Sequence, residues 1–154
     1  MKTTIKAITF ALLGFATLAS ASAEQSNGIN IGEQLPPKVR GLLIEEMLGI
    51  LGASQKIQSA IVQGDHEIVA KEAQAIHDSF IMAQEMTEED EQALLAAVPE
   101  DFLVQDEALH KLSEELAEAG RNKDTALQVQ HFNQLIVDCV RCHKEYASAR
   151  FPGL

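Results

Sequence analysis

The chain has no tryptophan, one tyrosine and six phenylalanines, so aromatic residues make up 5% of its 154 positions. A helical core this poor in large rings would gain much from a bulky apolar group bound inside it. Cysteine is confined to Cys139 and Cys142. Basic residues are few, 12 against 23 acidic ones, which argues against nucleic acid or an anionic membrane as partner. No segment reaches the length of a bilayer-spanning helix. No Gly-rich phosphate loop and no nucleophile elbow occurs, and the acidic clusters Glu88-Glu89-Asp90-Glu91 and Glu114-Glu115 read as helix-start and solvated-face charge. A non-enzymatic protein is therefore expected. No stretch alternates with a period of two over a useful length, which excludes a strand-based fold.

The first residues form an export signal. Lys2 and Lys6 give a basic start, Ile8 to Ala16 is an apolar run too short to span a bilayer, and Ala21-Ser22-Ala23 is a small-residue cleavage site. Cleavage is expected before Glu24, delivering a periplasmic protein that is not embedded in the membrane. The mature chain then carries 10 basic and 23 acidic residues, a formal charge of −13. That charge suits a basic patch on a partner, and equally suits simple solubility.

Residues 24–36 are polar, Gly-containing and without period, and read as a flexible arm. The rest, residues 37–154, is one domain by size. Pro36-Pro37 starts a helix to about Gln63, with Leu43, Ile44, Met47, Leu48, Leu51, Ile57 and Ile61 as its apolar stripe. Gly64-Asp65 is a stop and a cap. A second helix is expected from about His66 to Met86, with Val69, Ala73, Ile76, Phe80 and Ala83 inward. A short helix capped at Thr87 runs to Ala97, and Pro99 breaks it. A third long helix spans about Glu100 to Ala119. The last runs from about Lys123 to Ala149, with Leu127, Phe132, Leu135, Ile136, Cys139, Cys142, His143 and Tyr146 facing the core. Short connections between four such helices predict an all-α, antiparallel four-helix bundle, and bundle cores are common cofactor sites.

The two cysteines stand in Cys139-Val140-Arg141-Cys142-His143, the spacing of c-type haem attachment. Two thiols must reach the two vinyl groups at one edge of a porphyrin, and an imidazole must reach the iron. Positions i, i+3 and i+4 of a helix leave from one face, so the spacing meets both needs. Cys139 and Cys142 would form the thioethers to one haem c, and His143 would be the proximal iron ligand. The export signal agrees, because such a haem is attached outside the cytoplasm. A structural zinc site would want four ligands in two pairs, and a dithiol switch would want a βαβ context. Neither setting is present in the sequence. A helical interaction protein with Cys139 and Cys142 joined as a disulfide is a further alternative.

An exported chain of this size, with that motif near the end of its last helix, resembles the class II c-type cytochromes, the cytochrome c-prime group. The specific matches are Cys139, Cys142 and His143, with Tyr146 where the family often has an aromatic residue. The resemblance implies a monohaem four-helix bundle and possible homodimers formed through the first two helices. It also implies that the sixth side of the iron is covered from the first helix. A Met there makes an electron carrier, whereas Leu or Phe leaves a five-coordinate iron that binds small gases such as nitric oxide. Counting back from Gly64 gives Leu48 at that position, with Met47 one residue earlier. Arg40, on the face of Met47, is the nearest basic residue for a haem propionate. The expected function is thus single-electron transfer with His143 and Met47 as iron ligands and redox proteins as partners. The alternative is a gas-binding site beneath Leu48. His66, His77, His110 and His131 read as helix-surface or boundary residues. His110 is placed to pair with Asp106 one turn away, and His77 and His131 are the rivals to Met47.

Overall fold

The computed structural model describes residues 28–79 and 86–154. The leader, its cleavage site, residues 24–27 of the arm, and Phe80, Met82 and Ala83 lie outside the described residues. Among those described, six helices follow one another: α1 (Ile31–Gln34), α2 (Pro37–Gln63), α3 (His66–His77), α4 (Glu88–Ala97), α5 (Glu100–Arg121) and α6 (Thr125–Tyr146). The fold is all-α, and the extended pairing among these residues is an isolated bridge between Asn30 and Ala147.

Side-chain chemistry sets the helix ends. Pro37 occupies the first turn of α2, and Gly64, at φ 71°, closes it. Asp65 Oδ1 accepts the Ile68 N–H at 3.2 Å to start α3. Thr87 and Asp90 exchange the two bonds of a capping box ahead of α4. Asp124 accepts the Leu127 N–H at 3.0 Å, so α6 begins there rather than at Lys123. The helix expected to reach Met86 closes at His77 instead. Ser79 Oγ donates to the Ile76 carbonyl at 2.8 Å and Gln74 donates to Asp78, so local side chains take over groups the next turn would use. The last helix also stops early, at Tyr146 rather than Ala149. Ala147 leaves helical geometry and the chain folds back with Phe151 N–H donating to the Ala147 carbonyl at 3.1 Å.

Two apolar clusters hold the helices together. The first joins Ile50, Ala53 and Ile57 of α2 to Val69 and Ile76 of α3, Leu116 of α5 and Leu135 of α6. The second joins Ile31, Leu35 and Val39 to Leu94, Val98, Phe102 and Tyr146. Burying each Leu or Ile contributes about 2 kcal/mol. The closest packing is between α3 and α5, while α2 and α6 meet loosely. Gly120 lets α3 and α5 approach: a Cβ there would lie 2.6 Å from the Ala70 nitrogen and 2.8 Å from its Cα. Both obstacles are backbone, so Gly120→Ala is expected to destabilise the protein by about 2 kcal/mol in urea unfolding despite alanine's better helix propensity.

Two sequence expectations change. Residues 28–36, expected to be a flexible arm, are docked, with Ile31 and Leu35 buried against Val39, Phe102 and Tyr146. Two apolar residues in an otherwise polar stretch were enough to anchor it. The stripe of α2 is also rotated. Val39, Glu46, Ile50, Ala53, Ile57 and Ala60 face inward, whereas Ile44, Leu48 and Leu51 are exposed. Apolar residues cover so much of the circumference of α2 that its period allows more than one inward face.

Candidate functional site

Helix α6 carries the cysteine motif in its last two turns. Leu135 marks its inward direction and is fully buried. At about 100° per residue, Cys142 and Cys139 lie to either side of that direction, and His143, Ile136, Val129 and Val140 follow within about 100° beyond Cys139. This outer arc is apolar yet exposed among the described residues, with Ile136 43% and Val140 45% exposed. Both thiols are half-buried and unbridged. Cys139 borders the first core cluster, together with Met47, Ile61 and Phe132, and Cys142 borders the second, together with Leu42 and Leu43.

Burial pushes both thiols up from the ordinary range. Cys142 rises to about 11, through burial first and then the charges of Asp106, Cys139 and Glu145. Cys139 rises through burial and the charge of Asp138. His143 moves the other way, because burial disfavours the imidazolium. Its neutral form is the one that can ligate a metal. Among the described residues, no hydrogen bond holds either ring nitrogen of His143, and the expected acceptor for its second nitrogen is not among them. Its ring instead stacks on Phe151, with centroids 4.3 Å apart and planes 13° from parallel. That contact carries no local sequence signal, because it depends on the fold-back after Ala147.

Met47 and Leu48 diverge. Met47 is half-buried against the cluster that Cys139 borders. Leu48 is 64% exposed. It lines a cleft of about 360 Å³ between α2 and α3, with Ile50, Glu72 and Ile76, and that cleft holds none of Cys139, Cys142 and His143. Arg40 is exposed and donates to the Gly32 carbonyl at 3.3 Å, tying α2 to α1. The rivals His77 and His131, and also His66, have partners elsewhere. His77 Nδ1–H donates to the His110 carbonyl at 3.0 Å. His131 lies 3.9 Å from Glu115. Gln128 Nε2 donates to His66 Nδ1 at 2.9 Å.

A buried polar cluster sits beside this site that sequence reasoning did not assign. His110, expected at the surface or a boundary, is almost wholly buried. Its Nδ1–H donates to the Ile76 and His77 carbonyls at 2.9 and 3.2 Å. Its Nε2 therefore faces Glu46 Oε1, at 3.3 Å, and Asp106 Oδ1, at 3.9 Å. With Nδ1 already a donor, Nε2 can donate to Glu46 only if the ring is protonated. Burial works against the charged ring, but the Glu46 carboxylate beside it and the Asp106 charge outweigh it, and His110 is raised overall. Asp106 is raised to about 6, chiefly by burial, with His110 pulling down and Glu46 pushing up. Glu46 could have been found, because it falls seven residues after Val39 and four before Ile50, on the inward face of α2.

The residues suit a covalently held haem. Two thiols and an imidazole share one face, and among the described residues no element covers the apolar arc beside them. Among the described residues, no three His, Cys, Asp or Glu side chains gather as a metal-holding group, so Cys139 and Cys142 lack the further ligands of a zinc centre. No helix among them is long and apolar enough to cross a membrane. No family model, no curated protein and no solved structure matches the chain.

Proposed function

We infer that this chain is an exported monohaem c-type cytochrome, built as an antiparallel four-helix bundle, that carries single electrons in the periplasm. The observation that carries the reading is the face of α6 on which Cys139, Cys142 and His143 adjoin the exposed apolar arc of Ile136, Val129 and Val140. A flat apolar group linked to those two thiols would cover that arc. Bound there, haem iron would supply one-electron chemistry without a substrate pocket. Cys139 and Cys142 would hold the group in an open compartment, and His143 would offer a nitrogen to its iron. The apolar side chains around them exclude water. Met47 is the residue that would complete the iron's ligands, because it borders the same core cluster as Cys139, whereas Leu48 lines the α2–α3 cleft. A Met–His pair raises the reduction potential and suits electron transfer. The acidic surface suits a redox partner with a basic patch.

The raised pKa of both thiols counts against a dithiol switch, which needs a depressed one. The deciding experiment is an absorption spectrum of the mature protein, produced in a host that matures c-type cytochromes, in both oxidation states. Sharp low-spin bands on reduction are expected, with the weak red band of a Met–iron bond when oxidised. Met47→Leu should abolish the red band, and its persistence would remove Met47 from the ligand set. A high-spin spectrum that shifts with nitric oxide or carbon monoxide would replace electron transfer with gas binding. A spectrum without haem bands would leave the disulfide-linked interaction protein.

A further inference from the structure

The end of α6 is braced by both termini of the described chain. After Ala147 the backbone turns, with Arg150 N–H and Phe151 N–H both donating to the Ala147 carbonyl, at 2.9 and 3.1 Å. That turn brings the Phe151 ring flat against His143. The N-terminal strand-like segment then straps the turn. Ile29 N–H donates to the Glu145 carbonyl at 2.7 Å, and Ala149 N–H donates to Asn30 Oδ1 at 2.6 Å. Ser148 Oγ–H donates to the Gly28 carbonyl at 3.1 Å. Gly28 is seated so closely that a Cβ would lie 2.5 Å from the Lys144 carbonyl oxygen and 2.9 Å from that of Glu145.

A ligating histidine normally has its ring plane fixed by a hydrogen bond from its second nitrogen. His143 has no such bond among the described residues, and the parallel Phe151 ring lies flat against its imidazole. We propose that Phe151, held by the strap of Gly28, Ile29 and Asn30, is the positioning residue that fixes the plane of the His143 imidazole. The inference rests on the haem reading above, in which that imidazole is the proximal ligand. It extends that reading to residues on the opposite end of the chain.

The test compares wild type, Phe151→Leu, Phe151→Tyr and Gly28→Val as mature holoproteins. The readouts are the spread of the hyperfine-shifted haem-methyl proton resonances of the oxidised form and the reduction potential, with far-UV circular dichroism to check helix content. In Phe151→Leu the pattern should change or split into more than one species and the potential should shift, with helix content kept. Phe151→Tyr, which preserves the stacked ring, should restore both. Gly28→Val leaves Phe151 in place but forces the strap away, and should move both readouts in the direction of Phe151→Leu. A haem-bearing Phe151→Leu protein with the wild-type pattern and potential would overturn the positioning role alone, as would a Phe151→Tyr protein that behaves like Phe151→Leu. Absence of haem from wild type would overturn this role together with the haem reading, and the spectrum of wild type alone separates that case.

Discussion

Replacing both Cys139 and Cys142 with serine is expected to yield a chain from which all haem is extracted by acidified organic solvent. Wild type should keep its haem on the protein through the same treatment. Each single replacement should leave one thioether and therefore protein-bound haem. Serine is close to cysteine in size, and both positions are only half-buried, so the double variant should remain helical at a cost of about 1 kcal/mol. Haem that stays on the doubly substituted chain would exclude these thiols as the attachment points. The raised thiols add a condition to the chemistry. With its pKa pushed up to about 11, Cys142 is overwhelmingly the thiol near neutral pH. Haem supplied to the folded, haem-free protein should therefore attach slowly. Attachment is expected to be fast on the chain before α6 packs, when burial no longer suppresses ionisation.

Local chemistry was legible in the sequence and long-range geometry was less so. Gly64, Asp65 and the Thr87–Asp90 box mark helix ends through bonds that span three or four residues, and each is found where the sequence places it. The alignment of Cys139, Cys142 and His143 follows from helix periodicity alone. The orientation of α2 did not follow, because its apolar residues spread over a wide arc and only contact with α3 and α5 selects the inward part. Leu48 thus turned outward and Glu46 inward, against the usual preference of each type. The docking of the arm is not legible in the sequence, because Ile31 and Leu35 carry no period in so short a segment and their partners Phe102 and Tyr146 are remote in sequence. The His143–Phe151 stack depends on a backbone turn that Pro152 and Gly153 suggest only as a chain end.

The inward Glu46 leads to the second large effect. Glu46→Ala should destabilise the protein by about 3 kcal/mol, because it removes the nearer countercharge of His110, leaves Asp106 at 3.9 Å, and empties a buried site on the inward face of α2. The sign of the pH dependence of the intact cluster follows from its two shifts. Both His110 and Asp106 bind a proton more tightly in the folded state than in the unfolded chain. For His110, stability is fully present below the unfolded value of 6.5 and is lost as pH rises through the higher folded value. For Asp106, the folded state is disfavoured progressively as pH rises from 3.8 to about 6. Both contributions make stability fall with rising pH, from near 4 to beyond 6.5. Urea unfolding of the mature protein should therefore give a higher midpoint at pH 5 than at pH 8. Asp106→Asn should remove the lower part of that slope and raise stability at pH 7 by about 3 kcal/mol, the order expected for a carboxyl raised from 3.8 to about 6. Glu46→Ala should remove the upper part, since His110 without Glu46 loses its main reason to stay charged. A wild-type midpoint that rises from pH 5 to pH 8 would mean that His110 is neutral in the core, and the cluster would then be a hydrogen-bonded contact rather than an ion pair.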